Sequence, residues 1–264
     1  MKIGFIGCGN MASAIMGGII KSNIVPAADI IGSDAFAPTL EKAAKNLGIA
    51  TTSCNKEVAK ESDVLFLAVK PQFYADVITE IKDIVKPSVV VVTIAPGWSL
   101  EKLKETFGKD IKIVRTMPNT PAMVLEGMTA VCPNEFVTKD ELDYVMKLLS
   151  SFGKCQVIKE YLIDAVIVAS GSSPAFVYMF IEALADAAVI QGMPRDMAYK
   201  FAAQGVLGSA KMVLETGLHP GALKDMVCSP AGTTIEAVRV LEERGFRSSI
   251  IEAAVACAEK SKSM

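Results

Sequence analysis

The apolar run Ile3–Ile6 breaks directly into Gly7-Cys8-Gly9-Asn10-Met11-Ala12, and a helical pattern then runs from Asn10 to Ser22. A strand that feeds a G-x-G-x-x-A turn and then a helix fits few folds, because each small residue answers a different steric demand. Gly7 permits the tight turn, Gly9 leaves room beside the backbone, and Ala12 lets helix and strand pack closely. The free N–H groups at such a helix start, with the helix dipole behind them, suit the phosphates of a dinucleotide.

The rest of the first half repeats the alternation. Strands are expected at Ile30–Ile31, Val64–Val69, Ser88–Ile94 and Ile111–Arg115, with later ones at Thr129–Cys132 and Cys155–Ile158. Helical patterns run from Pro38 to Leu47 and from Phe73 to Val85. Strands alternating with helices imply a parallel, doubly wound sheet of the Rossmann type covered on both faces. Beyond Glu160 the strand pattern stops, and Ala, Met, Leu and Val fill long stretches punctuated by Gly and Pro. Ser173-Pro174 opens one helix and Gly192 ends it; Pro194 opens the next and Gly217 ends it. The change of periodicity near residue 158 divides the chain into an α/β dinucleotide-binding domain, residues 1–158, and an all-helical domain, residues 159–264.

Within the helical half, Ala175 to Ile190 is apolar almost all round, broken chiefly by Glu182 and Asp186. A helix of that kind is expected to be buried, here between subunits. A membrane span is disfavoured, since each carboxylate costs about 2.5–3.5 kcal/mol at mid-bilayer on insertion scales. Acids and bases nearly balance at a net charge of −2, with no basic run, which argues against a nucleic-acid partner. The six cysteines show no metal-site or dithiol spacing, so they are expected to be reduced cytoplasmic thiols with no metal centre. The N-terminal apolar run is too short for a signal core.

Other loops at strand ends are where ligands of open α/β sheets bind: Ala68-Val69-Lys70-Pro71 and Ala95-Pro96-Gly97. The second strand ends in Gly32-Ser33-Asp34, where the adenosine ribose is read. Asp34 would accept from a free 2′-hydroxyl and repel a 2′-phosphate, while Ser33 would donate to that phosphate; a plain turn role for Asp34 stands beside both readings.

With these residues on the page, the chain resembles the pyrroline-5-carboxylate reductases from Lys2 to about Ala258. The likeness is carried by Gly4–Met11, Ser62–Pro71, Met117-Pro118-Asn119-Thr120-Pro121, Leu162–Val166, His219–Asp225 and, most specifically, Ser229-Pro230-Ala231-Gly232-Thr233-Thr234-Ile235-Glu236-Ala237 followed by Gly245-Phe246-Arg247-Ser248. The resemblance implies reduction of 1-pyrroline-5-carboxylate to L-proline, the last step of proline biosynthesis, with NADPH as cofactor and NADH as the other possibility. It implies cofactor contacts from Ile6, Gly7, Cys8, Gly9, Asn10, Met11, Ser33, Asp34, Asn55, Ala68, Val69, Lys70, Pro71, Ile94, Ala95, Pro96, Gly97 and Asn119. Substrate contacts fall to Glu160, Met226, Ser229, Gly232, Thr233 and Thr234. A homodimer through the C-terminal helices, assembled into a homodecamer, is implied as well. Three positions depart from the family pattern: Ser173 and Ala231 stand where Gly is usual, and Pro96 where a small residue is common.

The residues themselves suggest the chemistry. The hydroxyl-rich Ser229–Thr234 segment leads into a helix from Thr234 to about Glu243, so its N–H groups converge on a point suited to a carboxylate. Thr234 is the expected catalytic residue, bonding the ring nitrogen, and Glu160 is expected to lend negative potential near it. His219 reads as a helix-start residue before Pro220 rather than an acid. Two rival readings remain: a β-hydroxyacid dehydrogenase, whose catalytic Lys at the start of the second domain has no counterpart in Ser170–Gln191, and a non-catalytic nucleotide-sensing relative, which would not need the Ser229–Thr234 loop.

Overall fold

The computed structural model describes residues 1–262, so the last two residues of the expected helical domain lie outside the described residues. Eight strands form one sheet: β1 (Ile3–Ile6), β2 (Ile30–Ser33), β3 (Ala50–Thr52), β4 (Val64–Leu67), β5 (Val90–Thr93), β6 (Lys112–Met117), β7 (Gly127–Pro133) and β8 (Gly153–Val157). Their order is β3-β2-β1-β4-β5-β6-β7-β8. The chain leaves β1 toward β2 and returns to β4 on its other side, so the ends of β1 and β4 form the crevice where ligands of such sheets bind.

The helices of this part are α1 (Asn10–Lys21), α2 (Ala37–Leu47), α3 (Asn55–Glu61), α4 (Tyr74–Ile81), α5 (Leu100–Phe107), α6 (Lys139–Leu149) and α7 (Ile163–Val166). Central strands are buried on both faces, which is why they read as unbroken apolar runs. In β4, Val64 and Phe66 face α1 with Phe5, Ile15, Met16 and Ile19, while Leu65 and Leu67 face Val58, Tyr74, Ile78 and Ile81. Phe5 and Phe66 stack at 4.6 Å between ring centroids.

The sheet is parallel as expected at every pair but one. β6 and β7 pair antiparallel, Arg115 opposite Cys132. The link between them, residues 118–126, falls short of the roughly dozen residues a parallel crossover needs, so the chain folds straight back. β8 then runs parallel to β7 through α6.

Contacts divide the chain into two compact units, residues 1–171 with 258–264, and residues 172–257. The strands stop at Val157, where the periodicity changes, but the helical stretch Glu160–Gly171 belongs with the sheet. Its end, Ile167–Gly171, is a π-turn.

The second unit holds α8 (Ser173–Ile190), α9 (Arg195–Thr216), α10 (Pro220–Val227) and α11 (Thr233–Glu243); α12 (Phe246–Lys262) starts within it. Pro174 lies in the first turn of α8, and Gly217 ends α9 in the left-handed region, as expected. Asp186 pairs with Arg195 of α9, and Phe180 meets Phe246 at 6.1 Å. Within one chain the expected burial of residues 175–190 is not met. Only Ala185 of α8 and Ala198 of α9 are buried, and Tyr178, Met179 and Phe201 are exposed. The stretch Glu160–Ile190 is long and apolar enough to cross a membrane by length and composition, at a mean hydropathy of 1.5, although Glu160, Asp164, Glu182 and Asp186 interrupt it.

Candidate functional site

At the end of β1 the glycines separate into two roles. Gly7 has φ +97°, and a Cβ there would lie 2.7 Å from the Ala68 carbonyl, so the turn admits only glycine. Gly9 has ordinary dihedrals, and a Cβ on it would meet nothing within 4 Å. The space beside Gly9 is open, in line with a pyrophosphate approaching the backbone. Gly9 also caps α1 without a side-chain bond, leaving the first-turn N–H groups free for an anion. These observations show that the residues present fit a dinucleotide.

A cavity of about 430 Å³ opens from this turn, lined by Gly7, Gly9, Asp34, Asn55, Ala68–Lys70 and, on α4, Asp76 and Glu80. Asp34 Oδ2 accepts from Cys8 N at 2.9 Å and Oδ1 from Phe36 N at 2.9 Å, so its carboxylate ties β2 to the glycine turn. Ser33 is fully buried and donates to Asn55 Oδ1 at 2.8 Å; Asn55 Nδ2 in turn donates to Glu80 at 2.8 Å. Burial, with the nearby Asp34 charge, pushes the Cys8 thiol up to about 12. Cys8 is therefore a packed neutral thiol. All six cysteines are free.

Across the crevice, Ala68 N donates to Ile6 O at 2.8 Å, which sets the Ala68–Pro71 loop against the glycine turn. The neighbouring loop follows β5: Ala95 is buried, and Gly97 has φ +75°. Asn119 lies further along the sheet. It accepts from Met128 N at 2.9 Å and donates to Ser170 O at 3.0 Å, which anchors the π-turn.

Glu160 is not a free charge. Its Oε1 accepts from Arg115 Nη1 at 2.6 Å and from Leu100 N, at the start of α5, at 2.8 Å. Arg115 thus partners the carboxylate that is expected to lend negative potential near the substrate. Arg115 itself was missed in the sequence. A lone Arg in the expected strand Ile111–Arg115 was the available signal, since a buried guanidinium demands a carboxylate.

In the helical unit, α11 begins one residue earlier than expected, at Thr233, and its cap Gly232 gives no side-chain bond. The first-turn amides are again uncapped, with the Thr233 and Thr234 hydroxyls beside them. Gly232 N donates to Ser229 O at 3.0 Å, closing a turn so tight that a Cβ on Gly232 would lie 2.4 Å from Ser229 Oγ. Ala231 sits at φ +57°, the region that favours glycine, so the family's usual Gly there has a steric reason. Met226 lines a cavity of about 390 Å³ with Met212, Val213 and Leu223. His219 Nδ1 accepts from Gly221 N at 3.0 Å, so the only histidine caps α10 as expected.

Comparison with known proteins gives the family. The pyrroline-5-carboxylate reductase dimerisation model matches residues 160–264, and the model for coenzyme F420-dependent NADP oxidoreductases matches residues 2–97. The chain is 54% identical to the pyrroline-5-carboxylate reductase of Escherichia coli over 100% of this chain and 98% of that one. It is 43% identical to that of Methanosarcina acetivorans, over 100% and 97%. The pyrroline-5-carboxylate reductase structure from Coxiella burnetii superposes with a TM-score of 0.92 at 35% identity, covering 99% of this chain and 97% of that one. The Plasmodium falciparum enzyme, solved with NADP bound, gives 0.90 at 35%, covering 100% and 97%. The Mycobacterium tuberculosis 3-hydroxyisobutyrate dehydrogenase gives 0.50 at 15%, covering 88% of this chain and 71% of that one, a likeness of fold alone. The dimerisation model spans the exposed apolar helices α8 and α9 and supports homo-oligomerisation of the chain. By full-length identity to its relatives, with the fold and the dimerisation match in agreement, this chain belongs to the pyrroline-5-carboxylate reductase family.

Proposed function

We propose that the chain reduces 1-pyrroline-5-carboxylate to L-proline with NAD(P)H, the last step of proline biosynthesis, as a cytoplasmic dimer through α8 and α9 assembled into a decamer. The observation that carries the reading is the uncapped start of α11 behind the Ser229–Thr234 turn, a preformed seat for a small carboxylate. A nucleotide-sensing relative would have no use for that seat.

In this reading the first-turn amides of α11 and the Thr233 hydroxyl hold the substrate carboxylate, with Ser229 and Gly232 shaping the turn. The substrate ring enters as the protonated imine, a far better electrophile than the neutral form, so no strong acid is required of the protein. Thr234 bonds the ring nitrogen and steadies its proton as the C=N bond is reduced. The nicotinamide supplies the hydride. Gly9 and the start of α1 hold the pyrophosphate, Asp34 and Ser33 lie at the adenosine ribose, and the loops Ala68–Pro71 and Ile94–Gly97 line the nicotinamide side.

The test follows cofactor absorbance at 340 nm. Oxidation with pyrroline-5-carboxylate, and no reverse reaction with a β-hydroxyacid, is the expected pair of results. Thr234→Ala should lower turnover at least tenfold; unchanged kinetics would remove Thr234 from this role.

A further inference from the structure

The two loops on the nicotinamide side are tied to one another by side chains that neither the glycine motif nor the substrate turn uses. The register of β4 and β5 ends at Leu67 opposite Thr93. At the next step Tyr74, from the first turn of α4, inserts its phenol between the strands. Its hydroxyl donates to Leu67 O at 2.5 Å and accepts from Ile94 N at 3.3 Å. Leu67 is the last residue before the Ala68–Pro71 loop and Ile94 opens the loop to Gly97, so one oxygen sets where both leave the sheet. Tyr74 is fully buried, and burial holds its phenol neutral and able to donate.

A second tie closes the far side. Trp98, directly after Gly97, donates from Nε1 to Pro71 O at 3.0 Å, so the end of one loop is fastened to the end of the other. The Trp98 and Tyr74 rings meet at 5.2 Å, and Lys102 Nζ lies 4.3 Å from the centre of the Trp98 ring. Gly97 supplies the positive φ that turns the chain back toward this tie. The two loops thus form one braced wall, and the bond from Ala68 N to Ile6 O ties that wall to β1.

In a doubly wound sheet the strands on the β2 side of the switch point hold the adenosine half of a dinucleotide, and those on the β4 side hold the other half. Resting on the cofactor reading above, we propose that Tyr74 and Trp98 are positioning residues for the nicotinamide half of the cofactor. They act through the Ala68–Pro71 and Ile94–Gly97 backbones; Ala68–Lys70 also border the cavity beside Asp34 and Asn55, whereas Ile94–Gly97 lie apart from it, so the effect falls chiefly on the nicotinamide half.

The experiment compares two ligands on the native oligomer and on Tyr74→Phe and Trp98→Phe. Each substitution keeps an aromatic ring in place: Tyr74→Phe removes both hydrogen bonds of the phenol, and Trp98→Phe removes the bond to Pro71 while leaving a smaller ring. Dissociation constants are measured by calorimetry for NADH and for ADP-ribose, which lacks the nicotinamide ring. The expected result is at least a fivefold weakening for NADH in each variant, with ADP-ribose held within twofold of native. Equal weakening of both ligands would show a general loss of structure, and no weakening of NADH would show an idle tie; either overturns the proposal. Should Tyr74→Phe fail to fold, Trp98→Phe, whose acceptor Pro71 lies in a surface loop, decides alone. If the native chain binds neither ligand and NADPH does not bind either, the cofactor reading fails, a different outcome from native binding with unaltered variants.

Discussion

The pair between Arg115 and Glu160 offers the sharpest test of how the helical stretch after β8 is held to the sheet. The perturbation is Glu160→Gln, which keeps an acceptor for Leu100 N and Arg115 but removes the charge. The Arg115 side chain is 10% exposed and that of Glu160 is 32% exposed. Removing one partner of a buried pair costs about 3–5 kcal/mol, because the remaining charge is left uncompensated. The exposure of Glu160 and the retained amide oxygen both reduce that figure, to about 2 kcal/mol, since a charge-assisted bond exceeds a neutral one by roughly 1 kcal/mol or more. At about 2–4 °C per kcal/mol for a unit of this size, the melting temperature should fall by about 4–8 °C. Adding Arg115→Met should recover part of the loss, because the stranded guanidinium goes with it. The assay is thermal unfolding at fixed protomer concentration, with the KM for pyrroline-5-carboxylate measured on the same samples. A large fall in kcat/KM with unchanged stability would refute the reasoning and return Glu160 to a direct role at the substrate.

Gly7→Ala and Gly9→Val should separate folding from binding. The first places a Cβ 2.7 Å from the Ala68 backbone at φ +97° and should lower the melting temperature; the second enters open space and should weaken NADH at least tenfold in a titration without loss of stability. Ala231→Gly relieves a left-handed alanine, a strain of about 1–2 kcal/mol, against roughly 0.5–1 kcal/mol of added unfolded-chain entropy. A net gain of about 0.5 kcal/mol in urea unfolding is expected, and a clear loss would contradict it. Alkaline pH should destabilise the native fold through Cys8. Its folded pKa, raised to about 12 by burial, lies above that of an unfolded thiol near ~8.5. The stability it contributes is complete below the unfolded value and is lost as pH rises toward the folded one, at up to about 1.4 kcal/mol per unit. Urea midpoints at several pH values should therefore fall less steeply above pH ~9 for Cys8→Ala than for the native chain.

The parts legible in the sequence are those fixed by local steric rules. Gly7 announces the turn because its φ and the nearby Ala68 carbonyl admit no side chain, Gly9 keeps the space beside the backbone open, and Val64–Leu67 reads as a strand because both its faces are buried. Three helices, α3, α5 and α6, escaped, as did the short strand β3. The faces of α5 and α6 are mostly polar, and their signals lay in the caps: Ser99 accepts from Lys102 N, and Thr138 with Glu141 forms a full capping box. The reversal at β7 escaped because strand direction is set by the length of a link, not by the strand's own residues. Arg115 and Glu160 lie 45 positions apart, and Tyr74 meets Ile94 across 20, so each pairing exists only once the sheet has its register.

The same distinction explains the helical unit. Its apolar helices were legible as surfaces that cannot face water, yet α8 and α9 bury only Ala185 and Ala198 within one chain. Tyr178, Met179, Phe201 and their neighbours lie exposed close together, and exposed apolar patches beyond a few hundred Å² drive association. The apolar residues of α8 and α9 state how much surface must be covered, and the dimerisation match over residues 160–264 supports homo-oligomerisation as the source of that cover.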